Sequence, residues 1–594
     1  MAIKKIYQAV INLLRTRLSR VQLIMVIAIL VGIASGLTAV LLKTMVHYLQ
    51  YLVEHSMEGK FMYLVFPVVG LIVTVLVIRY FFGGAIERGI AMVLKAIARK
   101  ASFIPLKHTY LHVITSSITV GLGGSAGLEA PIVATGSALG SNLSRISELN
   151  YQERTLLIAC GAAAGISAVF NAPIAGVIFA IEILLAETLV SYFIPLMIAS
   201  VAGALCSKII LNEAFLFNFV LKQSFDYKNV PWYIVLGILA GFVSLYYARA
   251  FKGTEKKLHQ WKINPYLKAV FGGILLMMLY FILPPLFGEG YNSVKAVANG
   301  SFSSFADNTT MLSKMDTNWA LIAFAGLIVL FKPIAAGITI GGGGNGGNFA
   351  PSLFVGSFLG FFFSKLMNTT GWLKIPEGNF SLVGMAGVLS GVMYCPLTAI
   401  FLIAEITNGY ELFIPLMIVS SISFFIVKTY EPFSMETKQL ALEGQIFTHQ
   451  KEKNILTSIQ LEHILEENSN RVYADKKLRD LVEMIKLSDE NIFAVIDSKE
   501  RLVGVVELND VRQKLFQQEL FDKTGIKSIM KKPAAILHIG QDMHTVMEKL
   551  DMTNSWYLPV VDADKKFIGF VSKSKLFNKY REILSAQGDL YEQD

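Results

Sequence analysis

The chain has 594 residues, of which 54% are apolar and only 16% charged, and its mean hydropathy is +0.53. Soluble globular chains carry about 25% charged residues, so the composition excludes an ordinary cytosolic enzyme and a disordered regulator. Lys and Arg outnumber Asp and Glu, 53 to 44, but part of that excess is confined to the first twenty residues, so no nucleic-acid partner is expected.

Glycine (47) and phenylalanine (40) are abundant, as in a polytopic membrane protein with glycine-rich helices. Residues 1–20 carry Lys4, Lys5, Arg15, Arg17 and Arg20 and no acid. A basic flank before the first apolar span places the N-terminus in the cytoplasm. Val21 to Leu42 is too long for the apolar core of a signal peptide and has no convincing cleavage site. Uncharged stretches then recur at 21–42, 61–78, 190–206, 232–248, 269–288, 333–363, 380–404 and 412–427. Several fit one crossing of roughly 20 residues. Residues 333–363 do not, because Gly341 to Gly347 interrupts them with six glycines and Asn345. Residues 109–144 hold one acid, Glu129, among Gly121, Gly123, Gly124 and Gly127. Such breaks predict discontinuous helices, which a membrane tolerates where they are buried in protein or line a polar cavity.

An internal repeat links the two breaks. Glu129-Ala130-Pro131 precedes Gly136 and Gly140, as Phe349-Ala350-Pro351 precedes Gly356 and Gly360. Further on, Pro173 to Glu182 matches Pro396 to Glu405, and Ser167 and Ser390 share the same 223-residue offset. Paired broken segments in corresponding halves point to a transporter's binding site. The repeat alone leaves open whether the halves are inverted or parallel.

Glu129 begins a helix at a glycine-rich start. An intramembrane carboxylate is a functional candidate, and a helix N-terminus, with unpaired N–H groups and a positive dipole end, accepts either that glutamate or a mobile anion. Two competing anionic occupants make a gate; the plainer alternative is a glutamate that caps its own helix. The second break opens onto Asn348 and Phe349. Two positive helix ends converging from related halves suit a small dehydrated anion, since a cation needs carbonyls or carboxylates.

Past about Tyr430 the charge density rises, and a second repeat appears with an offset of 65 residues. Phe493 to Asp497, followed by Gly504, mirrors Leu558 to Asp562, followed by Gly569. This predicts a tandem of two α/β units on the cytoplasmic side. Cys160, Cys206 and Cys395 form no CxxC pair, so neither a disulfide framework nor a metal site is expected.

On these motifs the chain resembles the CLC chloride channel and transporter family with a C-terminal pair of CBS domains, over nearly everything from residue 20 onward. The motif Gly-Arg-Glu-Gly-Pro reads here Gly127-Leu128-Glu129-Ala130-Pro131, and Gly-x-Phe-x-Pro is intact as Gly347-Asn348-Phe349-Ala350-Pro351. Phe170-Asn171-Ala172-Pro173 followed by Gly176 also matches. The resemblance implies an all-α polytopic membrane domain of two inverted repeats with broken helices, followed by an α/β tandem CBS module. The expected divisions are a basic segment at 1–20, the transport domain at 21–430, a linker at 431–455 and the CBS pair at 456–594. It implies a homodimer with one pore per subunit, Glu129 as the gating glutamate, and Asn348 and Phe349 as backbone anion ligands, with Gly347 and Gly127 beside them.

Three departures stand out. The motif Gly-Ser-Gly-Ile-Pro reads Glu87-Arg88-Gly89-Ile90-Ala91, so Arg88 replaces the hydroxyl ligand beside Gly89 and Ile90. The family's pore tyrosine falls near Glu436. Arg88 either pairs with Glu436 or faces the inner vestibule and attracts anions. The family's inner proton-carrying glutamate is replaced by Ile183, leaving Glu182 and Glu187 as substitutes on a possible proton path; this favours passive conduction over exchange and leaves proton-coupled antiport as the alternative. In the CBS pair, which by resemblance often binds adenine nucleotides, Asp510 and Ser572 are the candidate ligands; a dimerisation plate is the plainer role.

The leading expectation is therefore a chloride or small-anion channel or transporter in a lipid bilayer, with no enzymatic activity. A CBS-linked divalent-cation channel is the lesser rival, because Glu129, Glu182 and Glu405 are scattered. A membrane-embedded enzyme is disfavoured because His47, His108 and His112 lie near span ends without ligand spacing. A nucleotide sensor with an inert anchor fits poorly with the repeated breaks. A bacterial plasma membrane, with both termini cytoplasmic, is the expected location.

Overall fold

The computed structural model describes residues 17–55, 62–84, 87, 89–99, 102–185, 192–211, 219, 223–299, 318–372, 374–407, 409–438, 459, 461–466, 470–488 and 490–585. Arg88, Glu187, most of the basic N-terminal segment and most of the expected linker lie outside the described residues. The chain divides into two compact units, Met1–Ile446 and Phe447–Asp594.

In the first unit the described helices are α1 (Arg20–His55), α2 (Phe66–Phe82), α3 (Gly89–Arg99), α4 (His108–Gly121), α5 (Glu129–Ile146), α6 (Tyr151–Phe170), α7 (Pro173–Phe179), α8 (Phe193–Ile210), α9 (Val230–Gln260), α10 (Pro265–Ile282), α11 (Tyr291–Ala298), α12 (Asn318–Gly341), α13 (Phe349–Thr369), α14 (Glu377–Met393), α15 (Pro396–Ile406) and α16 (Phe413–Tyr430). Eight helical stretches among the described residues are long and apolar enough to cross a membrane. The long apolar stretch at 333–363 divides between α12 and α13. The one at 380–404 is also split, because Tyr394 adopts φ +61° and Pro396 starts a new helix. Asn171 does the same between α6 and Pro173 of α7, with φ +54°. At both corners the cap N–H donates to a serine carbonyl, Ser167 or Ser390.

The repeated glycines have a packing role. Helices α5 and α6 cross where a side chain on Gly136 would overlap the Gly161 carbonyl and one on Gly140 the Leu157 carbonyl. Helices α13 and α14 cross likewise, Gly356 on the Gly384 carbonyl and Gly360 on the Phe380 carbonyl. Small residues let membrane helices approach closely enough for backbone packing. Both crossings bury their helices, so Gly127–Gly140 and Gly347–Gly360 become equivalent parts of a common body.

The second unit holds two equivalent three-stranded sheets. In the first, β1 (Arg471–Tyr473) runs parallel to β2 (Ile492–Ile496), which pairs antiparallel with β3 (Leu502–Glu507). In the second, β4 (Leu537–His538), β5 (Tyr557–Val561) and β6 (Phe567–Ser572) repeat that order. Register shifts at Val495/Ile496 and Val560/Val561 fall at matching positions. Helices α17 (Leu478–Lys486) and α18 (Leu508–Val511) accompany the first sheet, and α19 (Met543–Met552) and α20 (Lys573–Ser585) the second. Ile492, Ala494, Ile496 and Val505 share a core with Phe567 and Phe570, which joins the two sheets.

Candidate functional site

The two glycine breaks meet. After α4 the chain turns through Gly123 (φ +97°), and after α12 through Gly343 (φ +111°). The Ser125 N–H donates to Thr339 Oγ1 (3.1 Å), and the Asn345 N–H donates to Thr119 Oγ1 (3.0 Å). Each break is thus fastened to the helix preceding the other. Gly127 and Gly347 then form an antiparallel bridge that joins the starts of α5 and α13. Thr119 and Thr339 escaped the sequence reading, although they are 220 residues apart, the offset of Pro131 and Pro351.

Glu129 is buried at this junction (1% exposed). Its Oε2 accepts from the Ala350 N–H at the tip of α13 (3.3 Å), and its Oε1 accepts from the Tyr291 hydroxyl. The carboxylate therefore occupies a donor of the opposite half's helix. Tyr291 carried no repeat signal; its only mark in the sequence is Gly288-Glu289-Gly290 before it, at the end of an apolar run. Phe349 is buried, with its ring 5.5 Å from that of Phe170 and 6.2 Å from that of Phe179. Asn348 is the N-cap residue of α13.

Glu436 lies on the other side of Asn348. Asn348 Nδ2 is 3.5 Å from Glu436 Oε1, and the Tyr247 hydroxyl donates to Asn348 Oδ1 (3.4 Å). Gly89, with φ +66°, begins α3 so that a side chain there would point to within 3.8 Å of Glu436 Oε2. Ile90 is buried. Gly89, Asn348 and Glu436 are thus gathered at one place. The expected pairing of Arg88 with Glu436 falls outside the described residues, as does Glu187.

Glu182 lies on a π turn that extends α7. Its carboxylate accepts from the N–H groups of Leu397 (3.0 Å) and Thr398 (2.9 Å) and from the Thr398 hydroxyl (2.7 Å), capping α15. Glu405, at the end of α15, returns the arrangement by accepting from the Ile174 and Ala175 N–H groups of α7 (2.9 and 2.8 Å). The repeated glutamates cap each other's helices.

The sequence places His108 and His112 near a span end, but both are buried, with His108 Nδ1 3.2 Å from His112 Nε2. His112 Nδ1 faces the Asn345 side-chain amide at 3.2 Å. Among the described residues no group of three or more His, Cys, Asp or Glu is placed to hold a metal ion.

In the second unit Asp510 lies in α18 and pairs with Lys531 Nζ at 2.5 Å, which raises the ammonium group above its ordinary pKa. Its Oδ2 is buried without a hydrogen-bond partner. The Ser572 hydroxyl, at the end of β6, donates to Glu466 Oε1 (2.7 Å).

A family model described as the voltage gated chloride channel matches residues 69–428, and one described as the CBS domain matches 526–582. A voltage-gated ClC-type chloride channel, ClcB, of Escherichia coli is 29% identical over 325 residues, 54% of this chain and 71% of that one. The crystal structure of a slow cyanobacterial Cl−/H+ antiporter aligns with a TM-score of 0.59 at 20% identity, over 71% of this chain and 97% of that one. A eukaryotic CLC transporter aligns with a TM-score of 0.60 at 16% identity, over 95% and 98%. The second of these likenesses extends the agreement of fold across both units.

Proposed function

Because the chain belongs to the voltage-gated chloride channel family, whose members are integral membrane channels and transporters, we propose that Glu129 gates a path for chloride or another small anion. The anion is held by the N–H groups at the tips of α5 and α13, around Gly127, Gly347, Asn348 and Phe349. The observation that carries this reading is the Ala350 N–H bound to Glu129 Oε2. A carboxylate and a halide compete for the same donor, so release of Glu129 opens a site that its ionised form fills. Protonation removes the charge that holds it there. On this reading Gly89 and Glu436 border the inner part of the path.

Chloride efflux from liposomes containing the full chain tests this. Glu129→Gln is expected to accelerate efflux and remove most of its acid activation; efflux and pH profile equal to the parent's would overturn the reading. Proton-coupled exchange is the second reading, supported by the hydroxyl and carboxylate network around Glu129. A chloride gradient that drives protons uphill selects it.

We further propose a homodimer in a bacterial plasma membrane, with both termini in the cytoplasm and an adenine nucleotide at the CBS pair. The unpartnered Asp510 Oδ2 fits a ribose hydroxyl donor.

A further inference from the structure

The segment between α10 and α11 is held from several sides. Lys332 of α12 is fully buried and donates from Nζ to the carbonyls of Leu286 (3.2 Å) and Gly288 (3.0 Å). The Gly288 N–H and the Tyr280 hydroxyl both donate to the Gly123 carbonyl (3.3 and 2.9 Å), tying this segment to the first glycine break. Gly290, at φ +84°, supplies the turn into α11. Fastened in this way, the segment presents two side chains to the gate. Tyr291 bonds Glu129 Oε1. Glu289, partly buried, turns its carboxylate to the N–H of Leu128, the N-cap residue of α5.

We infer that Glu289 is a second gating carboxylate, acting in series with Glu129. It stoppers the tip of α5 while Glu129 stoppers the tip of α13, and an anion passes when both have withdrawn. The inference rests on the reading of Glu129 as a plug.

A helix tip offers unpaired N–H groups and a positive end, which favour an anionic occupant. Glu289 meets that requirement at α5, as Glu129 does at α13. Charge balance ties the two together. Glu289 lies within electrostatic reach of Glu129, Lys43 and Lys332. Lys43, on α1, is buried and donates to the Val169 carbonyl at 2.5 Å. The other titratable groups here are Tyr291, Lys295 and His47, the last two within reach of Lys43. Two carboxylates and two lysines cancel when all are ionised. A proton taken up by Glu289 removes one negative charge, freeing the Leu128 N–H and leaving the cluster with one positive charge in excess. One monovalent anion then restores the balance, so a proton and an anion enter together.

The test compares the full-length parent, Glu129→Gln, Glu289→Gln and the double variant in liposomes, with chloride efflux followed from about pH 4.5 to about pH 7.5. Glu289→Gln is expected to give at least ~3-fold faster efflux near neutral pH while keeping the acid activation due to Glu129. Glu129→Gln keeps a residual acid activation, and the double variant loses it. If Glu289→Gln superimposes on the parent and the double variant on Glu129→Gln, Glu289 is no gate, and the Glu129 reading still stands. If Glu129→Gln superimposes on the parent, that reading falls and the series arrangement falls with it. Removing one carboxylate leaves buried lysines uncompensated and can unfold the protein, so Glu289→Asp, which keeps the charge, is measured alongside. Its shorter reach is expected to bind chloride more tightly than the parent in detergent calorimetry at neutral pH; equal binding counts against the proposal.

Discussion

Gly127 and Gly347 donate to each other's carbonyls at 2.9 and 2.8 Å, and this exchange joins the two halves at the point where both broken helices begin. Each glycine lies against the alanine within the other motif. A Cβ on Gly347 would stand 2.6 Å from the Ala130 Cβ, and one on Gly127 would stand 2.8 Å from the Ala350 Cβ. Neither neighbour can withdraw, because each belongs to the first turn of a buried helix. Gly347→Ala is therefore expected to cost about 1–3 kcal/mol and to abolish anion efflux by separating the helix tips. Thermal unfolding in detergent and liposome efflux check the two parts independently.

Tyr291 donates to Glu129 Oε1 and so holds the carboxylate by the oxygen not bound to Ala350. A hydrogen bond to a charged acceptor contributes about 1.5–3 kcal/mol. Tyr291→Phe keeps the ring against Phe170 and removes only this donor. Efflux at neutral pH is expected to rise by about tenfold, equivalent to the lower end of that range. Unchanged efflux would mean that the hydroxyl does not restrain Glu129.

The parts of this site governed by the repeat were legible in the sequence, and the parts outside it were not. Glu129, Gly127, Gly347 and Phe349 were found because broken helices leave paired glycine–proline spacing in both halves. The same spacing marked Glu182 and Glu405 but gave no hint that each caps the other's helix, since that depends on how α7 and α15 are brought together. Tyr291 and Glu289 have no repeat partner. They reach Glu129 because Lys332, 41 residues beyond Tyr291, fastens their loop, which Gly288 and Tyr280 tie to the first glycine break. The apolar run at 380–404 gave no sign of a break in hydropathy; Pro396 was its only mark.

Glu182 and Glu405 can be separated by experiment. Each carboxylate satisfies two helix-tip N–H groups, and an amide can accept with one oxygen only while turning an N–H toward the other donor. Glu182→Gln and Glu405→Gln are each expected to cost about 1–2 kcal/mol of stability. If capping is the whole role, neither changes proton movement driven by a chloride gradient. Loss of proton movement in Glu182→Gln, with Glu405→Gln silent, assigns Glu182 to a proton path.

Glu436 stands beside Asn348, and on the proposed path its carboxylate would oppose an anion at the tip of α13. Two like charges about 4 Å apart repel by ~4 kcal/mol at an effective dielectric constant of ~20. Glu436→Gln keeps the size and can still accept from Asn348 Nδ2. It is expected to raise chloride affinity at least ~10-fold, read by calorimetry on the detergent-solubilised full chain. Lower affinity would show that Glu436 is neutralised by a partner and supports the site instead of opposing the ion.

Asp510 has one oxygen paired with Lys531 and the other buried without a donor. Buried polar atoms in folded proteins nearly always find a partner, and a ribose hydroxyl is the donor that the CBS fold suggests. ATP is expected to bind the full chain and to bind about tenfold more weakly to Asp510→Asn, which cannot accept with both oxygens. The Lys531 ammonium remains available for phosphate in that variant, so weakened rather than abolished binding is the specific expectation. Equal ATP affinity in parent and variant would remove Asp510 from the site, and absence of binding in the parent would leave the CBS pair a structural role.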